Sequence, residues 1–182
     1  LTANGQTAAR QGVSPANMLP EAQAVIAVLA PTDVSWQRIN LPKAPAARLR
    51  QALGALLEDQ LLEDPDDVHI AVAPGARAGE PTWVAVVNHQ VLTGHLMALE
   101  KAKVRVGCVV PAVWPDAPAT GYFHELHDTE ADVGEGERGL ELMLTWSTTD
   151  GVATWPLGGT LSRALLPEPL PPGARFFATP AA

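Results

Sequence analysis

A stripe of leucines predicts the first helix of the chain. We place this helix from about Pro45 to Glu63, with Pro45 in the first turn, where a residue without an N–H group is tolerated. The leucines that share its apolar face are Leu49, Leu53, Leu56 and Leu57. Gly54 lies inside the helix at a cost of about 1 kcal/mol relative to Ala, so it indicates close packing or a bend. Pro65 ends the pattern.

Apolar segments predict strands on both sides of this helix. Ala24–Ala30 and Val34–Asn40 are predicted to pair with each other through the turn Pro31–Asp33. After the helix, Val68–Ala73 and Thr82–Val87 are predicted strands joined by a loop rich in Gly and Ala. Each strand is short and lies next to a turn signal, as strands of a small sheet do.

A second helix and a further strand complete this unit. Asn88 is a predicted cap for a helix over about His89–Lys103. The apolar face of that helix consists of Leu92, Leu96, Leu99 and Ala102. Val104–Val110 follows and is apolar enough to be a central strand, in which Cys108 is expected to behave as a small buried hydrophobe. The order helix, strand, strand, helix, strand predicts a mixed α/β unit.

The composition changes after Pro111 and predicts a second, mainly β unit. Its predicted strands are Tyr122–His127, Gly139–Ser147 and Val152–Trp155. Asp150-Gly151 is its clearest hairpin turn. We therefore divide the chain into a first α/β lobe, residues 1–113, and a second β-rich lobe, residues 114–182, with Trp114 as an anchor at the lobe interface.

The two ends of the chain have weaker patterns. Asn4-Gly5 is a type I′ hairpin signal between short polar arms, and Leu165–Gly173 is rich in proline and predicts an extended connection. The sequence starts without Met and finishes in Thr179–Ala182, so we expect a shortened chain whose second lobe is truncated.

Composition and charge exclude several functional classes. With 182 residues, 47% of them hydrophobic, the chain is long enough to bury a core. Its formal net charge of -8 and its 12 dispersed Lys and Arg residues argue against nucleic-acid binding and favour a basic partner. A single cysteine makes no internal disulfide, which is compatible with a reducing compartment. The longest apolar runs are too short to span a bilayer, and Leu1–Pro20 does not have the pattern of a signal peptide.

The segment from Glu58 to Asp67, here called the acidic run, is the strongest functional candidate. Its carboxylates, which we predict to bind a partner, are Glu58, Asp59, Glu63, Asp64, Asp66 and Asp67. Carboxylates near the C-terminal end of a helix oppose the helix dipole, so solubility or a basic partner must compensate for their position. A solvated face without a partner is the alternative interpretation.

Catalytic and metal-binding patterns are weak in this chain. His124 and His127 flank a carboxylate and precede Asp128, Glu130 and Asp132, but residues three apart on a strand face opposite sides. Gly158-Gly159-Thr160 lacks the lysine of a phosphate-binding loop and is interpreted as a turn. We therefore predict no catalytic residues, no metal site and no cofactor.

The order of several short motifs resembles that of a known family, general secretion pathway protein L of the type II secretion system. The resemblance extends over about Ala24–Pro115. The motifs that carry it are Val28–Val34, Leu41-Pro42, Leu49–Leu53, Leu57–Leu61, Asp66–Ala71, Trp83–Val87, Leu96–Lys103 and Val109–Pro111. No single motif is diagnostic, and their shared order makes the case.

The resemblance implies a fold and a set of partners. The fold would be an actin-like, ribonuclease-H-like mixed-sheet core, incomplete here, in the cytoplasmic domain of an inner-membrane platform protein. The domain would be a non-catalytic adaptor at the cytoplasmic face of the bacterial inner membrane that recruits the secretion ATPase through the N-terminal domain of that ATPase. In this family a single transmembrane helix and a periplasmic ferredoxin-like domain follow the cytoplasmic domain. Platform protein M would be bound through parts outside this chain, and a homodimer is compatible with the resemblance.

Two other functions stay open at this point. Actin-like relatives often bind or hydrolyse ATP, for which Asp150-Gly151 and Gly158-Gly159-Thr160 are the available loops, although both are better interpreted as turns. An enzyme acting on a small molecule would require His124, His127 and an acidic side chain to converge in a deep pocket.

Overall fold

The computed structural model describes residues 12–126, 141–158 and 161–178. Within these ranges three sheets and three α-helices form a mixed α/β fold. The elements, in chain order, are β1 (Ile26–Leu29), β2 (Ser35–Asn40), α1 (Ala46–Leu57), β3 (Val68–Val72), β4 (Pro81–Asn88), α2 (His89–Lys101), β5 (Cys108–Pro111), β6 (Thr120–Leu126), β7 (Glu141–Thr148), β8 (Gly151–Pro156), α3 (Leu161–Ala164) and β9 (Arg175–Ala178). None of the helices described is both long and apolar enough to cross a membrane.

The first helix packs against a three-stranded antiparallel sheet. The strand order is β2-β4-β3, and β3 and β4 are the strands predicted after the helix. The core between helix and sheet consists of Ile39, Leu41, Leu53, Leu57, Val68, Val84 and Val86. Leu53 and Leu57 come from the predicted stripe, whereas Leu56 is exposed. The buried face of α1 therefore fixes the position of the residues that follow it.

The first helix is shorter than predicted. The α-helix ends at Leu57, and Glu58–Gln60 continues as a single turn of 3-10 helix. Acidic residues at the C-terminal end of a helix oppose its dipole, which favours an early end. The predicted close packing at Gly54 is confirmed, because a Cβ there would lie 3.3 Å from Pro65 Cβ.

The pairing of β1 corrects two predictions. β1 pairs in parallel with β5 and not with β2, which pairs with β4. The turn Pro31–Asp33 is a 3-10 turn that leads the chain into another sheet instead of forming a hairpin. The strand predicted over Val104–Val110 was also expected to be central, but it starts at Cys108 and has β1 as its only strand neighbour among the residues described. Cys108 is exposed, so its predicted burial is wrong.

The second helix starts at the predicted cap. Asn88 Oδ1 accepts hydrogen bonds from the backbone N–H groups of Gln90 and Val91, each at 3.0 Å. The helix ends at Lys101, two residues before the predicted end, and Lys103 has a left-handed φ of 63°. The predicted apolar face is half-buried, and no residue of α2 is fully buried.

The four-stranded sheet, called the second sheet below, contains the three strands predicted for the β-rich lobe and one strand that was not predicted. The strand order is β8-β7-β6-β9, with β9 parallel to β6 after the proline-rich segment 165–173. The β7–β8 hairpin is confirmed, although the pair Thr148 and Gly151 leaves Thr149-Asp150 as its loop. Ala119, Leu144, Trp146 and Trp155 form the buried cluster of this sheet.

Some predictions are not tested by the structure. The Asn4-Gly5 hairpin lies outside the described residues. The division of the chain near Trp114 stays a prediction. Trp114 is 55% exposed, and its backbone O accepts a 2.6 Å hydrogen bond from Ser147 Oγ in β7.

Candidate docking surface

The acidic run lies on the surface between α1 and β3. Glu58 and Asp59 belong to the 3-10 turn that follows α1, and the other four carboxylates lie in the connection to β3. All six side chains predicted to bind a partner are exposed: Glu58, Asp59, Glu63, Asp64, Asp66 and Asp67. The structure therefore brings the predicted residues together on one continuous surface segment.

Backbone hydrogen bonds hold the acidic run in shape. Leu61 N donates to Leu57 O at 3.0 Å, which ties the start of the run to the buried end of α1. Asp64 closes the following turn, because its Oδ1 accepts from Asp66 N and its backbone O accepts from Asp67 N, both at 2.9 Å. Such an Asx turn fixes the backbone locally. The carboxylates are thus presented on an ordered backbone.

A second anchor connects the acidic run to the start of α2. Asn88 Nδ2 donates a 2.7 Å hydrogen bond to Glu63 Oε2, while Asn88 Oδ1 caps α2. His89 N donates to Asp67 O at 2.8 Å. The N-terminal end of α2 carries a partial positive charge, so nearby carboxylates are stabilised there. This proximity offsets the unfavourable position of the same carboxylates relative to α1.

Two surface grooves border the acidic run. One, of about 490 Å³, is lined by residues that include Arg50, Glu58, Asp64 and Asp66. The other, of about 410 Å³, is lined by residues that include Leu61, Leu62, Glu63 and Val91. Both grooves have walls of mixed polar and apolar residues, and both include carboxylates of the acidic run. Such a surface is able to accept both basic and apolar side chains of a protein partner.

Leu62 is a surface residue that the sequence analysis did not identify. Its relative exposure is 106%, the highest of the large apolar side chains described. It lies in the middle of the acidic run, and Leu61 beside it is half-buried against the core of α1. Because the α-helix ends at Leu57, Leu61 turns toward the core and Leu62 toward solvent. The helical spacing of the leucines therefore could not reveal the exposure of Leu62. Its position between carboxylates was the available signal.

Of the histidines in the weak metal-binding pattern, the structure describes only His124. His124 is buried in β6, and its Nε2 is 3.0 Å from Thr145 Oγ1, which in turn is 2.8 Å from Thr154 Oγ1. Burial lowers the pKa of His124 below its ordinary value of 6.5. His127, Asp128, Glu130 and Asp132 lie outside the described residues. Within the described ranges no group of three His, Cys, Asp or Glu side chains is able to hold a metal ion.

Gly151 and Gly158, one from each candidate nucleotide-binding loop, lie at the start of β8 and just after its end. Asp150 lies in the hairpin loop and Gly151 begins β8, so the predicted turn is present but displaced by one residue, to Thr149-Asp150. Gly158 is exposed just after β8, while Gly159 and Thr160 are outside the described residues.

Comparisons with known proteins give a consistent result. A family model, the type II secretion system (T2SS) protein L, matches residues 1–119. Type II secretion system protein L of Dickeya chrysanthemi is 38% identical over 87 residues, which cover 47% of this chain and 21% of that protein. The protein of the same name from Vibrio cholerae serotype O1 is 26% identical over 154 residues, which cover 84% of this chain and 35% of that protein. This chain therefore spans only a fraction of the length of both relatives.

A solved structure shares the fold. It is Cyto-EpsL, the cytoplasmic domain of EpsL, an inner membrane component of the type II secretion system of Vibrio cholerae. The TM-score is 0.57 at 21% sequence identity, and the match covers 87% of this chain and 63% of that one. The likeness thus extends over both the three-stranded and the four-stranded regions of the fold.

Proposed function

The chain belongs to the type II secretion system protein L family, and on this premise we propose that it is a non-catalytic adaptor that docks the secretion ATPase at the cytoplasmic face of the bacterial inner membrane. The acidic run with Leu62 is the docking surface in this proposal. The observation that carries it is a fully exposed leucine among six exposed carboxylates, on a backbone anchored at both ends.

The chemistry of the acidic run fits a basic protein partner. Exposed charges of one sign accelerate encounter with the opposite charge, while most binding energy comes from a few buried apolar anchors. Leu62 supplies an anchor that becomes buried on binding, and the carboxylates around it supply steering. The partner surface should therefore have Lys or Arg residues around an apolar pocket.

The anchoring of the acidic run supports docking over simple solubility. A solvated acidic face needs no fixed geometry, whereas a docking surface benefits from a backbone that loses little entropy on binding. Here Glu63 is held by Asn88, and Asp64 closes its own turn. Leu57, which is buried in the core, fixes the position at which the acidic run begins.

The remaining parts of the proposal concern the fold and the other partners. The parallel pair β1–β5 beside the antiparallel order β2-β4-β3 is compatible with part of an actin-like core. We propose that other parts of protein L bind platform protein M and include the transmembrane helix that anchors the protein in the membrane. The non-catalytic role is supported by His124, which is buried and hydrogen-bonded to Thr145 instead of lining a groove.

The test is calorimetric titration of the chain with the N-terminal domain of the cognate secretion ATPase. The triple variant Glu63→Lys, Asp66→Lys, Asp67→Lys should weaken binding by at least about tenfold and reduce its salt dependence. Leu62→Ala should weaken binding with little change in salt dependence, because it removes apolar burial alone.

A charge-matched variant controls for net charge. Glu80→Lys, Asp150→Lys and Glu168→Lys change the charge by the same amount at exposed positions outside the acidic run, and should retain wild-type affinity. Equal losses in both triple variants, or wild-type affinity in the folded acidic-run variant, would place the docking surface elsewhere. Mg-ATP titrated separately should give no saturable heat, and saturable ATP binding would favour the alternative of an actin-like nucleotide-binding protein.

A further inference from the structure

The groove of about 410 Å³ beside Leu62, called the Leu62 groove below, lies in the same layer of the structure as α1. Its lining includes Val86, a member of the core that α1 covers. Ser35 and Gln37 line it as well, and alternation along β2 puts them on the face of the sheet that carries the core residue Ile39. Ser35 is exposed, so α1 leaves this end of the face uncovered. An occupant of the groove would therefore lie beside α1.

Contacts among the described residues hold the walls of the Leu62 groove in place. Its lining lies within residues 32–91 and comes from three segments: the turn into β2, the acidic run and the start of α2. In the first wall, Asp33 N donates a 3.1 Å hydrogen bond to Ala30 O. The second and third walls are joined by the 2.7 Å hydrogen bond from Asn88 Nδ2 to Glu63 Oε2. A groove with fixed walls loses little conformational entropy when it is filled.

The charge of the lining distinguishes the two grooves that border the acidic run. The charged residues that line the Leu62 groove are Asp33 and Glu63, both carboxylates. The lining of the other groove includes Arg50 among its carboxylates. A cationic side chain that enters the Leu62 groove is therefore attracted by every charged residue of the lining, whereas Arg50 repels it in the other groove. Charge complementarity to a basic partner favours the Leu62 groove.

Two exposed apolar side chains belong to different walls of this groove. Leu62, in the acidic run, is 106% exposed, and Val91, in the first turn of α2, is 43% exposed. Most of the binding energy at a protein interface comes from a few apolar or aromatic contacts that become buried. A single segment seated in the groove would bury both side chains at once.

We propose that the Leu62 groove receives one amphipathic helix of the basic partner, packed beside α1. The proposal rests on the proposed docking function. The occupant is a helix because the groove lies on the face of the sheet against which α1 itself packs, and amphipathic helices bind such grooves through their apolar face. Its apolar side chains contact Leu62 and Val91, while a Lys or Arg one turn along the helix reaches Glu63, whose carboxylate accepts more than one hydrogen bond.

The experiment is calorimetric titration of groove variants with the N-terminal domain of the cognate secretion ATPase. Ser35→Tyr places a ring in the groove and should weaken binding by at least about tenfold. Val91→Lys places a cation among the carboxylates of the lining and should have an effect of similar size. His69→Tyr adds a ring at an exposed position on the opposite face of the same sheet, and Met97→Lys adds the same charge at another exposed position of α2. Both controls should retain wild-type affinity.

Methyl NMR spectra provide a local readout. When the ATPase domain is added, the signals of Leu62 and Val91 should shift. The signal of Leu170, an exposed residue of the proline-rich segment, should stay unchanged. Unshifted signals of Leu62 and Val91 in a chain that binds would overturn the groove proposal.

The affinities separate failure of the groove proposal from failure of the docking function. Wild-type affinity in the folded Ser35→Tyr and Val91→Lys variants would overturn the groove proposal, and the docking function would stand if the triple variant of the acidic run still weakens binding. Equal losses in His69→Tyr or Met97→Lys would also overturn the groove proposal. No binding by the wild-type chain would overturn the docking function and the groove proposal together. If Ser35→Tyr does not fold, Val91→Lys and its control decide.

Discussion

The three-stranded and four-stranded sheets have different interiors. Beneath the first sheet, α1 packs only aliphatic side chains into the core, with Leu57 completely buried. The second sheet packs its apolar cluster, which includes Leu144 and Trp155, on one face, and inside its other face His124, Thr145 and Thr154 hydrogen-bond across three strands. Aliphatic packing depends on volume, whereas a buried polar network depends on direction and protonation. The first interior therefore provides a pH-insensitive support for the acidic run, and the second makes its sheet sensitive to protonation.

The largest expected effect comes from cavities in the two cores. Leu57→Ala and Leu144→Ala each remove a fully buried side chain and should lower the free energy of unfolding by about 2–5 kcal/mol. If the division near Trp114 is right, Leu57→Ala should reduce hydrogen-exchange protection in β4 but not in β7, and Leu144→Ala should do the reverse. Loss of protection in both sheets in either variant would show one cooperative unit and would contradict the division.

A smaller effect is expected at two buried glycines. A Cβ at Gly121 would lie 2.5 Å from Phe176 Cδ1, so Gly121→Ala should displace this ring and destabilise the chain by about 1–3 kcal/mol. A Cβ at Gly54 would lie 3.3 Å from Pro65, and the gain in helix propensity should hold the net effect of Gly54→Ala within about 1 kcal/mol. Urea denaturation measures both. If Gly54→Ala destabilised the chain more than Gly121→Ala does, the contact between α1 and the acidic run would be packed more rigidly than the second sheet.

The smallest effect is a pH dependence that belongs to the second sheet. Because burial lowers the pKa of His124, the folded state favours the neutral imidazole. The stability from this histidine is fully present above the unfolded value of 6.5, and it is lost as the pH falls from there toward the folded value. Urea denaturation between about pH 8 and pH 5 should show this loss, and His124→Gln should reduce it. His69→Gln, at an exposed position of β3, is the control, and an unchanged slope in His124→Gln would refute the assignment.

Local patterns predicted the three-stranded region well. The cap at Asn88 is specified by neighbouring residues, and so are the hairpin strands β3 and β4. The pairing of β1 with β5 is not, because the partners are about 80 residues apart and the sequence between them gives no direct signal of their register. β9 was missed for a related reason, since its pairing with β6 spans more than 50 residues and follows a proline-rich segment.

The candidate site was predicted in part. Clustered carboxylates indicate a surface because charges are rarely buried, and all six are exposed. Leu61 and Leu62 are identical in type, so only the backbone direction after Leu57 distinguishes the half-buried residue from the exposed one. The sequence around His124 also did not reveal its burial, because the residues that surround it, such as Thr145, lie on other strands of the sheet.

Asn88 makes the chemistry of a single amide important. The amide has a donor end, which holds Glu63, and an acceptor end, which caps α2. A carboxylate of the same size would still cap the helix but would repel Glu63, and a serine hydroxyl would cap it without reaching as far. Residues that are interchangeable at most helix starts are therefore not interchangeable here. Conversion of this one amide to an acid, as happens when asparagine deamidates, would release the Glu63 side chain while leaving the cap of α2 in place.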